Sequence, residues 1–166
     1  MTLFEIASVF DRTNPEGPVT GASGRAGRPT VATELRNVLC VDDDADIRAI
    51  TELALTMFGR LSVTLCDSGE NCLSILQRES PDLVVLDVNM PGLDGVETLA
   101  RIRSEPRTAA MPVVMLTARI WPSDVEAYHA AGATAVLCKP FDPTDLASRL
   151  QDIFDGHCRA RLHGTE

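Results

Sequence analysis

Short, nearly continuous apolar runs recur from Leu35 onward, separated by stretches of helical period, and this alternation constrains the fold more than any other feature. The runs are Asn37–Val41, Ser62–Cys66, Leu83–Asp87, Val113–Thr117 and Ala135–Cys138. A strand that is apolar on both faces has to be covered on both faces, which is the condition of a parallel sheet flanked by helices. The intervening segments supply the cover. Ala45–Phe58 sets Ile47, Ile50, Leu53, Ala54 and Met57 on one helical face. Further faces come from Cys72, Ile75 and Leu76, from Val96, Leu99, Ala100 and Ile102, from Val125, Tyr128 and Ala131, and from Leu146, Leu150 and Ile153. Gly59 and Gly132 fall where helix C-caps belong. The reading is an α/β chain with βα repeated five times. Crossovers in such sheets are right-handed, and their ligands bind beyond the carboxyl ends of the strands.

Residues before this pattern differ. Asn14 to Thr33 is rich in Gly, Pro, Ser and Thr without apolar periodicity, so residues 1–34 are expected to be a flexible arm. Residues 157–166 are expected to be a short tail. The formal charge of −9 and pI of about 4.7 argue against direct, non-specific nucleic-acid binding. No apolar stretch has the length of a membrane span, and the start lacks the basic and apolar regions of a signal peptide. A cytoplasmic protein is expected. The five cysteines, at 40, 66, 72, 138 and 158, have no C-x-x-C spacing and read as buried or incidental thiols.

The strand ends carry the chemistry. The first run leads into Asp42-Asp43-Asp44, and the third ends in Asp87 followed by Val88-Asn89-Met90-Pro91-Gly92. The fourth ends in Thr117-Ala118 and the fifth runs into Lys139-Pro140. All of these groups should meet at one edge of the sheet. Carboxylates held together there repel by several kcal/mol, roughly, unless a cation relieves them. A hard, oxygen-seeking ion such as Mg²⁺ fits that inventory. Helix capping explains Asp44 but not Asp42, Asp43 and Asp87 together. Lys139 is the single lysine of the chain against fourteen arginines. A compact ammonium at that position points to a need for a point charge rather than a forked guanidinium. A cis bond before Pro140 would turn it toward the acids, although X-Pro bonds are more often trans.

Residues 36–156 resemble a response-regulator receiver domain of two-component signalling. The resemblance rests on VDDD at 41–44, LDVNMPGLDG at 86–95, PVVMLTA at 112–118, AAGA at 130–133 and CKPF at 138–141. Five motifs in order, each at the end of an expected strand or helix, are far more specific than any one of them. The resemblance implies a receiver domain over 35–156 with a flavodoxin-like, doubly wound five-stranded sheet of order 2-1-3-4-5. It implies that Asp87 accepts a phosphoryl group from a histidine kinase or histidine phosphotransfer protein. Mg²⁺ would be bound by Asp42, Asp43, Asp87 and the backbone carbonyl of Asn89, with Asp42 acting largely through water. Lys139 would pair with Asp87 and a phosphoryl oxygen, and the Thr117 hydroxyl would bond the phosphoryl group. Phosphoryl transfer needs positioning and charge neutralisation above all, and this inventory supplies both.

Other positions tune the switch in similar proteins. Ala118 leaves room at the site, and Asn89 and Arg119 stand where side chains set the lifetime of the acyl phosphate. The fifth strand has Val136 where receivers place an aromatic, a departure that puts the aromatic part of the relay in doubt. The resemblance places output, or dimerisation, on the face formed by the fourth helix, fifth strand and fifth helix. Trp121 reads as a half-buried loop aromatic, and Arg48 either as a contact for the phosphodonor or as a solvated side chain. A phosphoacceptor, not a dedicated enzyme, is the expectation. Two alternatives stand beside it: a phosphorylation-independent interaction module, and a metal-dependent phosphatase using Asp87. The second usually wants an acid two residues after the nucleophile, where this chain has Asn89.

Overall fold

The computed structural model describes residues 34–163. The expected arm lies outside them except for Glu34. Five parallel strands, β1 (Asn37–Val41), β2 (Ser62–Cys66), β3 (Leu83–Asp87), β4 (Val113–Thr117) and β5 (Ala135–Cys138), coincide residue for residue with the apolar runs. They alternate with α1 (Ala45–Gly59), α2 (Gly69–Leu76), α3 (Gly95–Ser104), α4 (Pro122–Ala130) and α5 (Pro143–His163). The sheet order is β2-β1-β3-β4-β5, the flavodoxin-like arrangement expected. β3 and β4 are buried throughout and β1 after its first residue, while the edge strands β2 and β5 are only partly covered.

Because successive strand residues point to opposite faces, the sheet divides its apolar residues between two cores. Val38, Cys40, Val85, Val114 and Leu116 join Leu55, Leu146, Leu150 and Phe154 on one side. Leu39, Val41, Val84, Leu86 and Met115 join Cys72, Leu76, Leu99 and Ile102 on the other. Each fully buried Leu or Ile contributes about 1.5–3 kcal/mol relative to exposure, so these two layers hold the strand ends in place.

Only part of the face expected of α1 turns inward: Ala54 is buried and Ile47 half-buried. Ile50, Leu53 and Met57 are 43, 57 and 65% exposed, and the buried residues are Thr51, Ala54 and Leu55. Close packing against α5 selects the small residues: a Cβ on Gly59 would stand 2.8 Å from the Cβ of Ala147. Thr51 tolerates burial because its hydroxyl donates to the Ile47 carbonyl at 2.7 Å. Gly59 is therefore small for packing rather than for capping. The left-handed cap is the next residue, Arg60 (φ 54°). Gly132, with φ 102° just beyond α4, does serve the turn expected of it. α3 begins with a reciprocal capping box between Asp94 and Glu97, and Ala100 on the same helix faces solvent. α4 buries none of its residues, and Trp121 at its N-cap is 62% exposed rather than half-buried. α5 continues through residues 157–163, where a tail was expected, and His157 Nε2 lies 3.0 Å from the Ala110 carbonyl oxygen.

Candidate functional site

Parallel pairing of β1 and β3, with Val41 opposite Leu86, brings Asp42 alongside Asp87 at the carboxyl edge of the sheet. Asp43 follows in the loop. One carboxylate oxygen from each of Asp42, Asp43 and Asp87 lies within 4.8 Å of the others. Asp42 and Asp87 are 4 and 3% exposed, whereas Asp43 faces solvent. The loop is fixed from inside, since Asp42 Oδ1 accepts the Asp44 N–H at 3.0 Å. Asp44 in turn caps α1 by accepting the N–H groups of Asp46 (2.8 Å) and Ile47 (3.3 Å).

Lys139 reaches this cluster from the far edge of the sheet. Its N–H donates to the Thr117 carbonyl at 2.8 Å, and its peptide bond to Pro140 is cis. Nζ then donates to Asp42 Oδ2 at 2.5 Å and to Asp87 Oδ1 at 2.9 Å. Burial pushes the Asp87 carboxyl above the usual carboxylate range, and the Asp42 charge adds to this, against the opposing pull of Lys139. Burial would draw the Lys139 ammonium down, but its bonds to Asp42 and Asp87 together hold it above the ordinary lysine value. With the acids ionised, three negative charges face one positive charge, which leaves two uncompensated. A divalent cation matches that remainder, and oxygen donors at this spacing suit Mg²⁺.

The neighbouring residues sit as follows. Thr117 is buried beside Asp87, but its hydroxyl donates to the Arg119 carbonyl at 2.9 Å and accepts the Arg119 N–H at 3.2 Å. The side chain is thus engaged with its own loop. Asn89 is exposed, two residues past Asp87. Ala118 and Arg119 are exposed on the rim, and half-buried Val136 lies opposite Met115 in the β4–β5 pairing.

Two residues support the site in ways the sequence pattern left open. Arg48 turns inward, its NH1 donating to the Asp42 carbonyl at 2.7 Å, and so it braces the acidic loop. Its place one turn into the helix after the acids was the available signal. Gly95 opens α3 directly beneath the site: a Cβ there would stand 2.2 Å from the Asp87 carbonyl oxygen and 2.8 Å from Val88 Cα. Only a residue without a side chain lets α3 start so near the end of β3.

The comparisons agree with this geometry. Residues 38–151 match the family model described as the response regulator receiver domain. The transcriptional regulatory protein CseB of Streptomyces coelicolor is 41% identical over 117 residues, which cover 70% of this chain and 48% of CseB. The chain spans about half the length of most curated relatives it matches. Among solved structures, the chemotaxis protein CheY4 of Vibrio cholerae superposes with a TM-score of 0.68 at 32% identity, over 72% of this chain and 98% of that one. A CheY-like receiver domain protein from Methanospirillum hungatei gives a TM-score of 0.67 at 26% identity, over 75% and 98% of the two chains. The fold, the converging acids and lysine, and these matches together make this chain a member of the response-regulator receiver family.

Proposed function

We propose that Asp87 is the phosphoacceptor of this receiver domain, taking a phosphoryl group from a phosphohistidine donor. One observation carries the reading: the Lys139 ammonium joins Asp42 to Asp87, with Asp43 in the same group of carboxylates. A carboxylate oxygen of Asp87 attacks phosphorus, the bond from phosphorus to the donor nitrogen breaks, and an acyl phosphate results. Lys139 stays with the new phosphoryl oxygens as a point charge. Asp42, Asp43 and Asp87, with the Asn89 carbonyl, are the residues that would hold Mg²⁺, Asp42 largely through water. That ion would supply the missing positive charge at the transferring group. Arg48 keeps the Asp42 loop in register through the Asp42 carbonyl.

The same residues account for switching. An acyl phosphate adds acceptor oxygens next to Thr117, whose hydroxyl exchanges its bond with the Arg119 carbonyl for one with the phosphoryl group. That exchange frees the loop leading into α4, a helix that has no fully buried residue and packs on the core through half-buried Tyr128. The α4–β5–α5 face is the output or dimerisation surface in this reading. Val136 supplies bulk there without the rotamer swing of an aromatic. Arg119 and Asn89 flank the site and set the lifetime of the acyl phosphate. The phosphodonor is a histidine kinase or a histidine phosphotransfer protein, and the output is a protein contact.

The test is intact mass after incubation with acetyl phosphate, with and without Mg²⁺. One phosphoryl adduct that requires Mg²⁺ and is lost in Asp87→Asn is the expected result. A folded wild-type chain that gains no adduct from acetyl phosphate or from a phosphorylated histidine phosphotransfer protein would overturn it.

A further inference from the structure

At the amino edge of the sheet, opposite the acidic centre, the end of α3 and the turns entering β4 and β5 meet α5 around an open cleft of about 270 Å³. Its walls include Arg103, Thr134 and His157, and no carboxylate lines it. That is a local exception in a chain whose net charge is −9. Arg103 is half-buried, and neither it nor Arg161 joins an ion pair among the described residues. Taking a guanidinium partly out of water without a counter-charge is unfavourable.

Donors around the cleft outnumber the acceptors that use them. Arg103 Nε and Nη2 donate to the Gly132 carbonyl at 2.9 and 2.8 Å, and Nη1 reaches the Thr108 carbonyl at 3.5 Å. A guanidinium has further N–H groups beyond these, and one on each terminal nitrogen is left over. Such a pair can hold two oxygens of one oxyanion. Thr134 Oγ1 accepts the Val113 N–H at 3.1 Å, and its own hydrogen has no acceptor among the described residues. At the rim, the Ala110 carbonyl accepts from Arg161 at 3.3 Å and lies 3.0 Å from His157 Nε2. Carbonyls so occupied ask no donor of a ligand, whereas the spare N–H and O–H groups ask for an acceptor.

We propose that this cleft binds the phosphate group of a small anion, with Arg103 as its principal ligand. Thr134 adds a hydroxyl and Arg161 a second charge from the rim. A carboxylate offers a pair of oxygens in one plane, but a tetrahedral phosphate meets donors from several sides, as these residues require. An occupied cleft joins α3 to the residue before β5 and to α5, at the edge of the α4–β5–α5 face. The proposal stands whether or not Asp87 accepts phosphate.

The test follows backbone amide shifts of the full chain by NMR, without Mg²⁺ and at constant ionic strength held with chloride. Inorganic phosphate and glycerol phosphate are titrated separately. Saturable shifts of the Ala110, Met111, Gly132 and Thr134 amides are expected with at least one of them. Tighter binding of the ester assigns the cleft to a phosphate ester, and tighter binding of inorganic phosphate assigns it to the free ion. Arg103→Gln should weaken binding about tenfold or more. Arg161→Gln, on an exposed side chain that the fold does not need, should weaken it by about two- to fivefold. Shifts no larger than those from chloride, shifts centred instead on residues 42–44 and 89, or binding unchanged in Arg161→Gln would overturn the proposal.

Discussion

Replacing Lys139 with methionine keeps much of the side chain's length and removes the ammonium that holds two buried carboxylates together. Nζ lies 2.9 Å from Asp87 Oδ1 and 2.5 Å from Asp42 Oδ2. At an effective dielectric near 20, a pair of unit charges about 3 Å apart attracts by roughly 5–6 kcal/mol. The gross attraction to two carboxylates is therefore on the order of 11 kcal/mol, before desolvation and the repulsion among the acids are set against it. Removing one partner of a buried pair costs about 3–5 kcal/mol net. The Lys139 side chain retains 16% exposure, which allows some screening and favours the lower end. Lys139→Met should lose about 3 kcal/mol in metal-free buffer at pH 7. The deficit should also depend on pH. A carboxyl raised by folding, like that of Asp87, contributes stability below its unfolded pKa of about 3.9 and loses it as pH rises through the folded value. Without Lys139 its folded value moves higher still, so acid narrows the gap between variant and wild type. Mg²⁺ should stabilise the variant more than the wild type, because it meets more uncompensated charge there. Urea unfolding followed by far-UV circular dichroism, at pH 7 and in mild acid, with and without Mg²⁺, reads all three effects. A loss under about 1 kcal/mol would place the pair in the range of solvent-exposed bridges. That result, or equal Mg²⁺ stabilisation of both proteins, would refute the reasoning.

Two further substitutions test the packing that positions the site. Gly95→Ala places a methyl 2.2 Å from the Asp87 carbonyl oxygen, against backbone that cannot yield cheaply. A loss of about 3 kcal/mol in urea unfolding is expected, since overpacking a tight contact costs about 1–3 kcal/mol or more. Leu55→Ala and Leu53→Gln distinguish the buried side of α1 from its exposed side. The first should cost about 2–5 kcal/mol, whereas Leu53 is 57% exposed and its replacement should change stability by less than about 0.5 kcal/mol. Equal costs would contradict the orientation of the helix.

What the sequence made legible follows from how strongly each feature is forced. Strands covered on both faces must be apolar throughout, so β1, β3 and β4 announced themselves, and the edge strands followed from the same spacing. Asp42, Asp43, Asp87 and Lys139 were legible because the carboxyl edge of a parallel sheet gathers whatever ends its strands. The inward face of α1 was not, because apolar character permits burial without requiring it. Ala54 was expected inside and is, but Ile50, Leu53 and Met57 beside it are displaced by Thr51 and Leu55, and the close approach to α5 at Gly59 is a contact with no trace in the local pattern. The same holds for Arg48, whose inward bond to the Asp42 carbonyl depends on where the acidic loop turns. It holds again for the Thr117 hydroxyl, which bonds its own loop. That last detail bears on mechanism. A hydroxyl already committed to the Arg119 carbonyl gives up one hydrogen bond when it takes another, so the exchange itself is nearly neutral in energy. The strength of the switch would then come from the charge added at Asp87, acting on a helix α4 that has no fully buried residue.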